Sequence, residues 1–61
     1  AKHTRVRIHE GFIPDAYHWC EDRFGDNWTW SNPLQTDYVD MYFIHTEDAL
    51  LFKLRFTPLD T

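Results

Sequence analysis

The sequence predicts one α+β domain over residues 1–61, with the element order β-α-β-β-α. Three observations predict it. Short stretches in which apolar and polar side chains alternate are typical of half-buried strands. Between and after them lie two segments with helix-capping signals, the first with its apolar residues on one helical face. The single cysteine excludes an internal disulfide framework, so a partner subunit is the expected supplement to the small apolar core.

The first strand is predicted at residues 4–9, because β-branched side chains alternate there with arginine and histidine. A helix is predicted at residues 14–24. Pro14 suits its first position, since proline has no N–H to lose there, and Asp15 suits the positive end of the helix dipole. Gly25 supplies the usual left-handed stop. The apolar positions of this helix share one face: Ile13, Ala16, Tyr17, Cys20 and Phe24.

Two further strands are predicted after the helix. Residues 27–31 alternate, with Trp28 and Trp30 on the same side, and residues 37–45 form the longest strand. Alternation divides this last strand into two faces, one with Val39, Met41 and Phe43, the other with Tyr38, Asp40, Tyr42 and Ile44.

A second helix is predicted at residues 47–56. Thr46 is a good N-cap, and the acidic residues that follow it suit the first turn. A strand remains an alternative for residues 51–56, because Phe52 to Phe56 also alternates. The cap and the Ala-Leu-Leu run favour the helix.

A crossover, a hairpin and a second helix make up most of a split β-α-β, or ferredoxin-like, fold. The expected domain is an incomplete ferredoxin-like one, a three-stranded sheet with two helices on one face. Only three residues follow Pro58, too few for the usual fourth strand. The outer edge of the first strand, from Arg5 to His9, is therefore predicted to be bare, and in a homodimer it either pairs with the second copy or carries a dimer contact nearby.

The charge balance narrows the choice of partner. Ten acidic and six basic residues give a formal net charge of −4 with histidine neutral. Polyanions and anionic membranes attract basic surfaces, so nucleic acid and membrane are disfavoured as partners. No apolar run reaches the roughly 18 residues of a membrane span. A lone cysteine suits a reducing compartment, and we expect a cytoplasmic protein.

Catalytic and metal sites are weakly supported. His18 and Cys20 are the closest pair of possible ligands, but on a helix they point roughly 200° apart and cannot share a metal ion. The same geometry prevents His18 from activating the thiol. We expect no cofactor, no metal and no enzymatic activity, with Cys20 as a buried structural residue.

An RNA or single-stranded-DNA binding module is the alternative function. Arg5 and Arg7 share one strand face, and Tyr38 and Tyr42 can lie beside them on an open sheet, as in modules that stack bases on aromatic rings. The competing interpretation is that the two arginines form ion pairs with Asp40 beside the tyrosine rings. The net charge favours this second interpretation.

The tryptophans divide between core and interface. Trp28 is expected in the core, whereas Trp19 and Trp30 could each anchor a protein contact, for which tryptophan is well suited. The candidates for an interface or binding role are therefore Arg5, Arg7, His9, Trp19, Trp30, Tyr38 and Tyr42.

Residues 42–56 resemble a segment of small uncharacterised proteins of T-even-type phages and marine viruses. An apolar strand leads there through a short acidic turn into an Asp-Ala-x-x-Phe-x-Leu-Arg helix, which is residues 48–55 here. The resemblance implies a viral accessory protein made in the host cytoplasm. The sequence as a whole thus predicts a small cytoplasmic interaction protein that self-associates and binds another protein.

Overall fold

The computed structural model describes residues 3–59 and has the predicted order of elements. Its strands are β1 Thr4–His9, β2 Trp28–Ser31 and β3 Tyr38–Phe43, and its α-helices are α1 Asp15–Phe24 and α2 Thr46–Arg55. A single 3-10 turn, Glu10–Phe12, follows β1. The α+β fold class is confirmed, and the strand alternative for residues 51–56 is wrong, since α2 runs to Arg55.

The three strands form one antiparallel sheet in the order β1-β3-β2. β3 lies in the centre and pairs with both neighbours, so β1 and β2 run parallel to each other at the two edges. This is the strand arrangement of an incomplete ferredoxin-like fold, as the sequence predicts.

One face of the sheet carries the core. Val6 and Ile8 are fully buried, and they lie across from Met41 and Val39 of β3. Alternation of side chains along a strand places these residues on the same side as Phe43. Both helices meet that side, because the Phe43 ring contacts rings of α1 and α2.

An aromatic cluster joins the two helices to the sheet. The ring centroid of Phe43 lies 5.5 Å from that of Phe24 in α1 and 5.2 Å from that of Phe52 in α2. Trp19 lies against both, 5.4 Å from Phe24 and 6.0 Å from Phe52. The two pairs that involve Phe24 meet edge-to-face, a favourable arrangement of aromatic rings, and the two that involve Phe52 are tilted.

The helix ends differ from the sequence predictions by one residue. Pro14 lies just before α1 rather than in its first turn, and Gly25 ends that helix with a positive φ of 62°, which glycine adopts without strain. His45, not Thr46, stands at the N-cap of α2 and makes no capping bond with its side chain. The backbone of His45 is still extended after β3, so the helix begins at the next residue.

The outer edge of β1 is not bare, which corrects the sequence prediction. The chain beyond α2 folds back along it, and the N–H of Leu59 donates a hydrogen bond of 2.8 Å to the carbonyl of Arg7. Residues 60 and 61 lie outside the described part of the chain. The prediction of a bare edge is therefore wrong at Arg7, where the same chain already bonds the carbonyl that a second copy would use.

Candidate protein-interaction surface

The sheet face that points away from the helices carries five of the predicted binding residues. They come from two neighbouring strands, β1 and β3. The register places them in cross-strand pairs: Arg5 opposite Tyr42, Arg7 opposite Asp40, and His9 opposite Tyr38. The sequence therefore predicts correctly which side chains this face brings together.

Arg7 is engaged within this face. Its Nε donates to Asp40 Oδ1 at 2.8 Å and its Nη2 to Asp40 Oδ2 at 3.2 Å, so the pair is bidentate. The guanidinium carbon also lies 3.9 Å from the centre of the Tyr38 ring. Asp40 balances the charge of Arg7, and Arg7 covers one side of Tyr38. This is the ion pair beside a tyrosine ring that the competing interpretation expects.

These contacts make this face of the sheet less suited to binding a nucleic acid. Phosphate binding requires positive charge that is not already neutralised, and base stacking requires an open ring. The bidentate pair with Asp40 neutralises the positive charge of Arg7. The guanidinium over the ring leaves Tyr38 less open to a stacked base.

His9 has a local structural role. Its Nδ1 accepts a hydrogen bond of 2.9 Å from the N–H of Gly11, which caps the 3-10 turn after β1. Such a cap satisfies a backbone donor that the short turn leaves without a partner.

The three tryptophans occupy different environments. Trp28 is buried, as predicted, and its indole N–H donates to Glu21 at 3.1 Å. Trp19 is half-buried in the aromatic cluster, and the Arg23 guanidinium lies 5.1 Å from its ring. Trp30 is 46% exposed and meets the Tyr17 ring edge-on. Of the two candidate anchors, Trp30 is the more accessible.

The most exposed apolar feature of a helix is the outer side of α2, which the sequence analysis did not single out. Leu50 is 56% exposed, Leu51 43% and Leu54 85%. Residues three and four positions apart are neighbours on a helix, so these three side chains form one continuous strip, here called the leucine face. The core side of the same helix buries Ala49 and Phe52.

A signal for the leucine face was present in the sequence. Five of the ten residues of α2 are apolar, namely Ala49, Leu50, Leu51, Phe52 and Leu54. Ala49, Phe52 and Phe56 are spaced three and four residues apart and so share one helical face, which is the core stripe. Leu50, Leu51 and Leu54 fall outside that stripe.

Charges along α2 are separated by sign. Glu47 and Asp48 stand in its first turn, and Lys53 and Arg55 stand in its last. Each pair is favourable next to its own end of the helix dipole. The leucine face thus lies between a negative and a positive end.

Two open grooves flank the core. The larger, of about 660 Å³, has walls of Phe12, Trp19 and Phe56. Cations of the chain itself lie over two of these rings, Arg23 over Trp19 and Arg55 at 5.8 Å from Phe56. The smaller, of about 400 Å³, lies beside Trp30. The larger groove is also lined by polar side chains, namely Asp15, His18, Asp22 and Arg55.

Cys20 is fully buried in the core and forms no disulfide. Burial, with a smaller contribution from the charge of the adjacent Glu21, raises the pKa of its thiol to about 12. The reactive form of cysteine is the thiolate, so the group is a poor nucleophile near neutral pH.

Within residues 3–59, no three histidine, cysteine, aspartate or glutamate side chains are arranged to hold a metal ion. In the same part of the chain, neither helix has the length and apolar character needed to cross a membrane. Comparison with protein-family models, with curated proteins and with solved structures found no match. A function is therefore inferred from the surface of the fold.

Proposed function

We propose that this chain is a small protein-interaction module that binds a protein through the leucine face of α2. The observation that supports this proposal most directly is the exposure of Leu50, Leu51 and Leu54 on one side of one helix. Single exposed leucines are ordinary on protein surfaces, but a continuous apolar strip is characteristic of an interaction site. An amphipathic helix that offers such a strip is a common element of protein recognition.

The charge balance and the sheet support a protein partner over a nucleic acid. The net charge is −4, and the bidentate pair with Asp40 neutralises Arg7 on the open face of the sheet. An apolar strip gains affinity by removing surface from water, which a polyanion does not provide. The unpaired thiol of Cys20 fits a reducing cytoplasm, and the resemblance of residues 42–56 implies an accessory role in a virus-infected cell.

Site-specific photocrosslinking tests this proposal. A benzophenone amino acid replaces Leu54 in one variant and Leu34 in the control, and both are irradiated in cells that produce the chain. Leu34 is 92% exposed but belongs to the loop between β2 and β3, so it matches the exposure of Leu54 without the helix. We expect protein adducts from position 54 and few from position 34.

The mass of each adduct identifies the occupant. An adduct of twice the monomer mass indicates a second copy, and any other discrete mass indicates a different protein. Equal adduct yields from the two positions, or none from position 54, would contradict the proposed role of the leucine face.

A further inference from the structure

We infer that the leucine face binds a second copy of this chain, with the two α2 helices antiparallel about a twofold axis. This inference depends on the proposed function and names the partner for the same surface. A twofold contact uses one patch twice, so the patch must complement itself in both shape and charge. The evidence is the order of charges along α2 and the position of the leucines between them.

The charges of α2 are complementary to those of an antiparallel copy. Glu47 and Asp48 lie in the first turn, and Lys53 and Arg55 lie in the last. When a second α2 runs in the opposite direction, the acidic turn of each helix lies beside the basic turn of the other. Opposite helix dipoles also lie side by side, which adds to the attraction.

A parallel arrangement has the opposite effect. It places acidic turn beside acidic turn and basic turn beside basic turn, and like charges at an interface are unfavourable. The separation of charge along α2 therefore specifies direction as well as partner.

The leucines fix the register of the antiparallel pair. A twofold axis that passes between Leu50 and Leu51 places Leu50 against the partner's Leu51, and Leu51 against the partner's Leu50. The same axis sets Glu47 against the partner's Leu54, next to the partner's basic last turn. All three leucines of each copy then face the other helix, and Leu54, the most exposed of them, is covered.

The size of the face sets the expected affinity. A helix of ten residues is about 15 Å long, at a rise of 1.5 Å per residue. A contact of this length covers less than the ~800 Å² per partner of a typical stable interface. We expect a reversible dimer with a dissociation constant on the order of 10–100 μM.

Disulfide trapping tests both the partner and the direction. Variants Glu47→Cys and Leu54→Cys are mixed in a glutathione redox buffer, with one of them isotope-labelled, and the covalent dimers are identified by mass. The wild-type chain serves as the control for Cys20, which is buried. A mixture of Glu47→Cys with Leu34→Cys controls for random collision.

The antiparallel dimer predicts the mixed 47–54 disulfide. Relative to the mixture of Glu47→Cys with Leu34→Cys, where pairing is by random collision, we expect it to exceed both homodisulfides about tenfold, because the folded contact raises the local concentration of that pair. Enrichment of the 47–47 and 54–54 disulfides would overturn the direction. No enrichment of any of the three would overturn the second copy, and photocrosslinks from position 54 to other proteins would then still support the interaction module.

Discussion

Replacing Phe52 with alanine is expected to lower the free energy of unfolding by about 3–5 kcal/mol. Phe52 is fully buried, and its ring lies 4.9 Å from Phe56, 5.2 Å from Phe43 and 6.0 Å from Trp19. Truncation removes apolar contacts from α2 and β3 at once and leaves a cavity between them. A domain of this length has a total stability of only about 3–9 kcal/mol, so much of the variant should be unfolded at 25 °C.

Guanidinium denaturation followed by tryptophan fluorescence measures this loss. Leu54→Ala is the matched control, since it truncates a side chain of the same helix that is 85% exposed. The control should change the free energy of unfolding by less than about 0.5 kcal/mol at protein concentrations where the chain is monomeric. A loss below about 1 kcal/mol for Phe52→Ala would show that the aromatic cluster does not hold α2 to the sheet.

Replacing Arg7 with methionine is expected to lower the free energy of unfolding by about 2–3 kcal/mol. Methionine keeps an unbranched apolar stem beside Tyr38 but removes both hydrogen bonds to Asp40. The Asp40 side chain is only 6% exposed, so its charge would remain buried without a cation. The expected loss is smaller than for a fully buried pair because Arg7 itself is 28% exposed.

A second substitution distinguishes the effect of the unpaired Asp40 charge from the effect of the lost packing of Arg7. The double variant Arg7→Met/Asp40→Val should be more stable than Arg7→Met alone, because the unpaired carboxylate is gone. Arg5→Met, on the same face of β1 but exposed, should change stability by at most about 0.5 kcal/mol. If the double variant proved less stable than Arg7→Met, the pair would not explain the loss. Thermal unfolding by circular dichroism gives the comparison.

Much of the sheet could be predicted from the sequence. Strand alternation is a local property, and it correctly divides β3 into a core face and an open face. It also correctly places Arg5 and Arg7 together, because side chains two residues apart on a strand share a face. The cross-strand partners do not follow from alternation alone, since they depend on register.

The parts that could not be predicted depend on long-range contacts. The hydrogen bond from Leu59 to Arg7 joins residues far apart in the sequence, and no local pattern reveals it. The alternation of residues 52–56 fits a strand as well as a helix. Contacts of Phe52 with Trp19 and Phe43 are those of a helix packed on the core, and they override the alternation.

The leucine face is absent from the sequence predictions because they concern the formation of α2 and not its exposed side. The Ala-Leu-Leu run favours a helix but does not show which of its residues pack against the sheet. Exposure of Leu50, Leu51 and Leu54 is a property of the packed domain. The predicted edge contact of β1 and the leucine face of α2 are alternative surfaces for the same expected self-association, and only the second leaves the hydrogen bond from Leu59 to Arg7 in place.

Sedimentation equilibrium over a concentration series tests the central claim most directly. The wild-type chain and the control Leu34→Glu should change from monomer to dimer between about 5 μM and about 1 mM, whereas Leu54→Glu should remain monomeric throughout. Glutamate at position 54 replaces an apolar contact residue and places a second negative charge against the partner's Glu47, while at position 34 it changes an exposed loop. A wild-type chain that stays monomeric to about 1 mM, or a Leu54→Glu variant that dimerises like the wild type, would contradict the account.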